Sequence, residues 1–140
     1  MKSINVFKNE QREILHVTGE NTGCKITKID SVNGDIIVDI AGVSKTFKIH
    51  GFGAPRRVID AYTIVSAVGN ANNVLIARNS STATASMFAV DTASAQRKHY
   101  VRTINRAACI IPAGGYIHLT ASGTTPKNLR ATLVIKTIPA

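Results

Sequence analysis

Polar and apolar residues alternate along most of this chain, and turn residues interrupt them at short intervals, which restricts it to short strands. Residues 34–40 place Ile36, Val38 and Ile40 on one face and Asp35 and Asp39 on the other. The preceding Asn33-Gly34 tolerates the positive φ of a type I′ turn, so Thr27–Asp30 and Ile36–Val38 are predicted antiparallel partners. In residues 43–50, Val43, Phe47 and Ile49 share one side, opposite Ser44, Thr46, Lys48 and His50; Lys45 interrupts the apolar face and suggests a strand end or sheet edge. Gly51-Phe52-Gly53-Ala54-Pro55 is the sharpest break, because two glycines and a proline cannot propagate a ladder.

A long β-branched run, Val58–Val68, follows and is closed by Gly69-Asn70. Further strands are predicted at 73–78, 84–90 and Ala107–Ile111, with one helical turn at 91–97 capped by Asp91. Residues 116–121 set Ile117, Leu119 and Ala121 against Tyr116, His118 and Thr120. Residues 129–136 send Leu129, Ala131, Leu133 and Ile135 inward and Arg130, Thr132 and Lys136 outward. Val134 breaks that pattern, and as an exposed β-branched residue it would suit contact with a neighbouring subunit. No segment holds a 3.6-residue stripe over three turns. The prediction is an all-β antiparallel sandwich or barrel of about ten strands.

At 140 residues, 44% hydrophobic and 18% charged, the chain is too apolar for disorder and too poor in charge for a coiled coil. No apolar run reaches the roughly 18 residues of a membrane-spanning helix. The opening Met1–Lys8 alternates rather than forming a continuous apolar stretch, so synthesis and retention in a cytosol are expected. Charge is distributed unevenly. The net charge is +9, and all eight acids lie at or before Asp91. Beyond it stand Arg97, Lys98, Arg102, Arg106, Lys127, Arg130 and Lys136 with no acid at all. Such a surface attracts an acidic partner: nucleic acid, an acidic protein face or an anionic glycan.

A search for chemistry returns little. His16, His50, His99 and His118 are scattered, with none at the spacing that puts two imidazoles on one metal, and surface or packing roles suit them better. Cys24 and Cys109 form no paired motif, and Cys109 sits in an apolar strand where a thiol stays protonated. Asp60, in an apolar strand after Arg56-Arg57, suggests a local ion pair. Gly51-Phe52-Gly53 lacks the third glycine of a phosphate loop. No catalytic, cofactor or metal residues are assigned, and an enzyme is not expected. The cluster Arg97–Arg106 holds one aromatic, Tyr100, which is poor stacking capacity for single-stranded nucleic acid.

From Val58 onward, the long opening strand, Ile111-Pro112-Ala113-Gly114 before Tyr116–Ala121, and Ser122-Gly123-Thr124 before the last strand resemble the jelly-roll domains of tailed-phage virion proteins. Capsid decoration (cement) and head-fibre proteins are the nearest in pattern. The resemblance implies a jelly-roll-like domain over 56–140, with residues 1–52 an N-terminal β region that anchors or completes the sandwich. It implies a homotrimeric structural protein, made in the host cytoplasm and seated on the outer capsid surface, where it bridges subunits of the major capsid protein. Arg56, Arg57, Arg97, Lys98, Arg102, Arg106, Lys127 and Arg130 would then be the partner-binding residues. Two alternatives stand beside it. One is a glycan- or host-surface-binding module using loops 79–86 and 122–128, whose Asn79, Ser80, Ser81, Thr82, Thr124, Thr125 and Asn128 can hydrogen-bond sugar hydroxyls. The other is a basic nucleic-acid-binding β domain.

Overall fold

The computed structural model describes residues 14–19, 23–30, 34–41, 46–67, 74–91, 98–101, 103–121 and 129–140. In order, the strands are β1 (His16–Gly19), β2 (Cys24–Asp30), β3 (Asp35–Ala41), β4 (Thr46–His50), β5 (Arg56–Ala67) and β6 (Val74–Arg78). Then come β7 (Phe88–Asp91), β8 (Lys98–Tyr100), β9 (Ile110–Ile111), β10 (Tyr116–Ala121) and β11 (Arg130–Pro139). They form two antiparallel sheets, one of five strands in the order β1-β4-β10-β6-β7, the other β2-β3-β11-β5-β8 with β9 also on β5. The chain is an all-β, jelly-roll-like sandwich, as the alternation requires. In both sheets, strands from before Phe52 pair with strands from after Pro55: β4 lies between β1 and β10, and β3 between β2 and β11.

The inward phase of each strand builds one core. Phe47, Ile49, Ile117, Leu119, Leu75 and Val90 come from the five-stranded sheet; Ile36, Val38, Leu133, Ile135, Val58 and Val65 come from the other. Each such side chain contributes about 1.5–3 kcal/mol by leaving water.

The β2–β3 hairpin forms where it was predicted, with Ile29 opposite Ile36 and Lys28 opposite Ile37. Gly34 takes a φ of +74°, and a side chain there would collide with the Thr137 carbonyl. That closeness is used: the Thr137 amide and hydroxyl both donate to the Gly34 carbonyl, at 3.0 and 2.7 Å, which ties the hairpin to β11.

Several expectations need correction. Val134 is buried rather than exposed, because Ile37 and Tyr62 flank it on the adjacent strands. The strand expected over Ala107–Ile111 shortens to Ile110–Ile111, since the turn bonds Ala108 N to Asn105 O and Ala107 N to Asn105 Oδ1 precede it. The strand expected over 84–90 begins only at Phe88. Asp91 ends β7, and the rest of the expected helical turn, 92–97, lies outside the described residues, as do Asn33 and Val43–Lys45. Neither Cys24 nor Cys109 is in a disulfide, and Cys109 is buried. No helix is long and apolar enough to cross a membrane among the described residues.

Candidate functional site

The outward phase of the five-stranded sheet assembles what the sequence left scattered. β4 pairs with β1 so that His16 faces His50, and with β10 so that Tyr116 faces His50 from the other side. Three rings therefore line up across three adjacent strands, since strand neighbours lie about 4.8 Å apart. The His16 and His50 rings are 5.3 Å apart and nearly parallel at 18°; the His50 and Tyr116 rings are also 5.3 Å apart, tilted by 36°. Two residues along each strand runs a second row on the same face: Thr18, Lys48, His118 and Arg78, each in register with the next.

Hydrogen bonds fix the first row. The Thr18 hydroxyl lies 2.8 Å from His50 Nε2. Tyr116 donates its phenolic proton to Ser81 Oγ at 2.9 Å and accepts from the Ser81 amide at 2.9 Å, which docks the 79–82 loop on the end of the row. Lys48 places its ammonium 5.1 Å from the Tyr116 ring centre, a favourable cation–π geometry. Gly51, just after His50, has a φ of +109° and abuts the Ile14 carbonyl, so only glycine lets the chain entering β1 lie this close to the end of β4.

Two of the imidazoles are held below the ordinary histidine range. Burial, then His16 and Lys48, hold His50 below the ordinary histidine range. Burial, then Lys48 and Arg78, do the same for His118. Its Nδ1 is buried with no hydrogen-bond partner. The Ser81 hydroxyl and amide, with Lys48, hold the Tyr116 phenol below the usual range.

The cations expected to bind a partner do not converge among the described residues. Arg56 and Arg57 begin β5, where Arg56 donates to Thr137 Oγ1 at 3.1 Å and Arg57 to Cys109 Sγ at 3.8 Å. Arg130 pairs with Ala67 at the opposite end of the same strand. Lys98 sits on β8 with its ammonium 4.2 and 5.0 Å from the Tyr62 and Tyr100 rings. Arg106 is exposed in the turn before β9. Arg97, Arg102 and Lys127, with the 122–128 loop, lie outside the described residues. Asp60 accepts the Ala61 amide at 2.8 Å in place of the ion pair expected with Arg56-Arg57.

Among the described residues, metal-ligating side chains do not gather. No group of three His, Cys, Asp or Glu side chains could hold an ion. A cleft of about 470 Å³ between β7 and β8 is lined by residues such as Met87, Phe88, Tyr100 and Asn105.

Sequence reasoning put Lys48 and His50 on the polar side of one strand and Tyr116 and His118 on the polar side of another. It missed that β4 and β10 are neighbours. The alternation carried the phase but not the pairing.

No family model matches the sequence, and no curated protein matches it. Solved structures do. A family 61 carbohydrate-binding module in complex with β-1,4-galactotriose is 15% identical, with 94% of this chain and 93% of that one covered, at a TM-score of 0.42. A family 4 module is 13% identical over 90% and 92% of the two chains, at 0.37. The family 11 module of the cellulosomal cellulase Lic26A-Cel5E of Clostridium thermocellum is 12% identical over 90% and 88%, at 0.35. At these values the likeness is one of sandwich architecture.

These matches overturn the resemblance to capsid decoration and head-fibre proteins, and with it the reading of a structural virion protein that bridges capsid subunits. The structures this chain resembles are carbohydrate-binding modules. The Ile111–Gly114 turn that suggested a virion protein does a general structural job. Gly115 N donates to Pro112 O at 2.8 Å, and Gly114 N donates to Phe52 O at 2.7 Å, closing the loop over the core.

Proposed function

We propose that this chain is a non-catalytic glycan-binding module whose ligand lies across the outer face of the five-stranded sheet. The observation that carries the reading is the His16–His50–Tyr116 strip running beside the Thr18–Lys48–His118–Arg78 row. A saccharide presents alternating C–H and O–H groups. Tyrosine and histidine match it, with an apolar ring body and a polar edge, and a ring has little rotamer freedom to lose on binding. The strip rests on strands rather than loops, so it is rigid before a ligand arrives. Ser80, Ser81 and Thr82, in the docked 79–82 loop, add hydroxyls beside Tyr116.

Nucleic acid fits this face less well. Single strands are held by successive large aromatic faces, whereas this strip offers one tyrosine beside two imidazoles. The test is a glycan array followed by calorimetry on the best hit. Tyr116→Ala and His50→Ala should each weaken binding by about tenfold or more, the scale of an aromatic anchor lost from an interface. Circular dichroism checks that both variants remain folded. Absence of any glycan signal, or a hit that both variants bind as well as the parent, sinks the reading.

A further inference from the structure

The second row of the same face narrows the class of saccharide. Lys48, His118 and Arg78 occupy three adjacent strands, in register. The two cations thus stand about 10 Å apart at the backbone, with an imidazole between them. Their side chains are long enough to converge above His118. Among the described side chains of this sheet no Asp or Glu faces them, and Asp91, which ends β7, pairs with Val74 at the far end of β6 from Arg78. Every described Asp or Glu side chain (Asp30, Asp35, Asp39 and Asp60) belongs to the other sheet. Among the described residues, the salt bridge formed is Lys136–Asp35, also on that other sheet. Lys48 and Arg78 therefore flank a polar ring with no described carboxylate to neutralise them.

Resting on the glycan-binding reading, we infer that the ligand is an anionic glycan, whose carboxylate or sulfate sits over His118 between Lys48 and Arg78 while its sugar ring lies along the His16–His50–Tyr116 strip. The two rows are about 7 Å apart, two residues of strand rise, so a sugar unit and its charged substituent can engage both at once. Guanidinium and ammonium bonds to an anion are the strong members of the hydrogen-bond family. They also discriminate, because a neutral sugar here leaves two cations uncompensated. Each cation adds affinity that salt screens.

Calorimetry on the full chain with a fixed set of probes tests this. The acidic probes are galacturonate oligomers, carrying carboxylates, and heparin-derived hexasaccharides, which add sulfates; the neutral probes are the methyl ester of the galacturonate oligomers and galactose oligomers. A single-stranded DNA 20-mer is the competing polyanion. At about 20 mM salt, an acidic glycan should bind roughly tenfold or more tighter than its neutral counterparts, with the gap closing near 500 mM. Lys48→Gln and Arg78→Gln should each cost the acidic probe about tenfold and the neutral probes less, while Lys25→Gln on the other sheet changes neither. Whether galacturonate or the sulfated hexasaccharide leads tells carboxylate from sulfate. Neutral glycans binding as tightly as acidic ones, or an acidic preference untouched by Lys48→Gln and Arg78→Gln, overturns the inference and leaves glycan binding standing. DNA as the tightest ligand overturns the inference, and binding of no saccharide at all overturns both.

Discussion

The two outer faces of the sandwich follow the same alternation yet end in opposite electrostatic states. On the six-stranded sheet, the described acids are answered within the sheet at Asp35, Asp39 and Asp60. Lys136 bridges Asp35 at 3.0 Å, Thr132 donates to Asp39 at 3.0 Å, and Asp60 accepts the Ala61 amide. On the five-stranded sheet, Lys48 and Arg78 flank an imidazole with no described acid near them. A surface whose charges are already compensated has little reason to favour one charged ligand over another. One that leaves cations open beside ordered rings has a strong one. The difference is set by strand order, which gathers the acids of β2, β3 and β5 on one sheet.

The largest expected effect tests whether the two faces are separable at all. Phe47 is buried beneath Lys48 and His50, in a core cluster that includes residues of both sheets. Phe47→Ala should lower unfolding free energy by about 3–5 kcal/mol. Urea transitions followed by far-UV circular dichroism and by tyrosine fluorescence should coincide, since one core unfolds as one unit. A six-stranded sheet that persists after the binding face melts would contradict this. Next comes Gly34→Ala, which forces a side chain into the positive-φ turn and against the Thr137 carbonyl. About 1–3 kcal/mol should be lost, with saccharide affinity of the folded fraction unchanged because the hairpin belongs to the other sheet. Tyr116→Phe keeps the ring but removes both Ser81 bonds, and should lower the unfolding midpoint slightly and release the 79–82 loop, seen as faster amide exchange at Ser81.

These expectations also mark how much of the molecule was legible in the sequence. Inward and outward phases could be read strand by strand, because Phe47 and Ile49 or Ile117 and Leu119 alternate with polar residues, and the Asn33-Gly34 turn located one pairing. Pairings between distant strands could not be read. His16 and Tyr116 are a hundred residues apart in sequence and become neighbours of His50 only through β4 lying between β1 and β10. Charge misled for the same reason. The acid-free C-terminal stretch looked like one basic surface, yet its described cations are spread over β8, the turn before β9 and β11, and Lys136 is answered by Asp35 from the N-terminal half. The Ile-Pro-Ala-Gly turn misled because any sandwich that closes a loop over its core can use one.

Acidification should affect the outer face of the five-stranded sheet through its imidazoles. His50 and His118 both titrate below the ordinary range, held there by burial together with His16, Lys48 and Arg78. Below about pH 6.5 the unfolded chain takes protons that these native imidazoles refuse. Stability should therefore fall as the pH drops through that value, then level once both native groups titrate. Urea midpoints between pH 5 and 8 give the slope, and NMR of the imidazole protons assigns it. His50→Gln with His118→Gln should flatten it, and an unchanged slope would place the effect elsewhere.

The smallest expected effect is on the opposite face, where it isolates compensation from binding. Asp35 holds Lys136 above the ordinary lysine range through their hydrogen bond and charge attraction. The raised value means the stabilisation is complete at neutral pH and is lost only as pH climbs through the native pKa of Lys136. Asp35→Asn should bring the Lys136 titration back toward the ordinary value by NMR. It should leave the unfolding midpoint nearly where it was, because this pair is partly exposed to solvent. Removing that acid raises the net charge of the molecule by the same amount that Lys48→Gln lowers it. If overall charge drew an acidic glycan to this protein, the two variants would shift its affinity by similar amounts in opposite directions. If the ligand reads the local cations beside the ring strip, Lys48→Gln weakens it and Asp35→Asn does nothing.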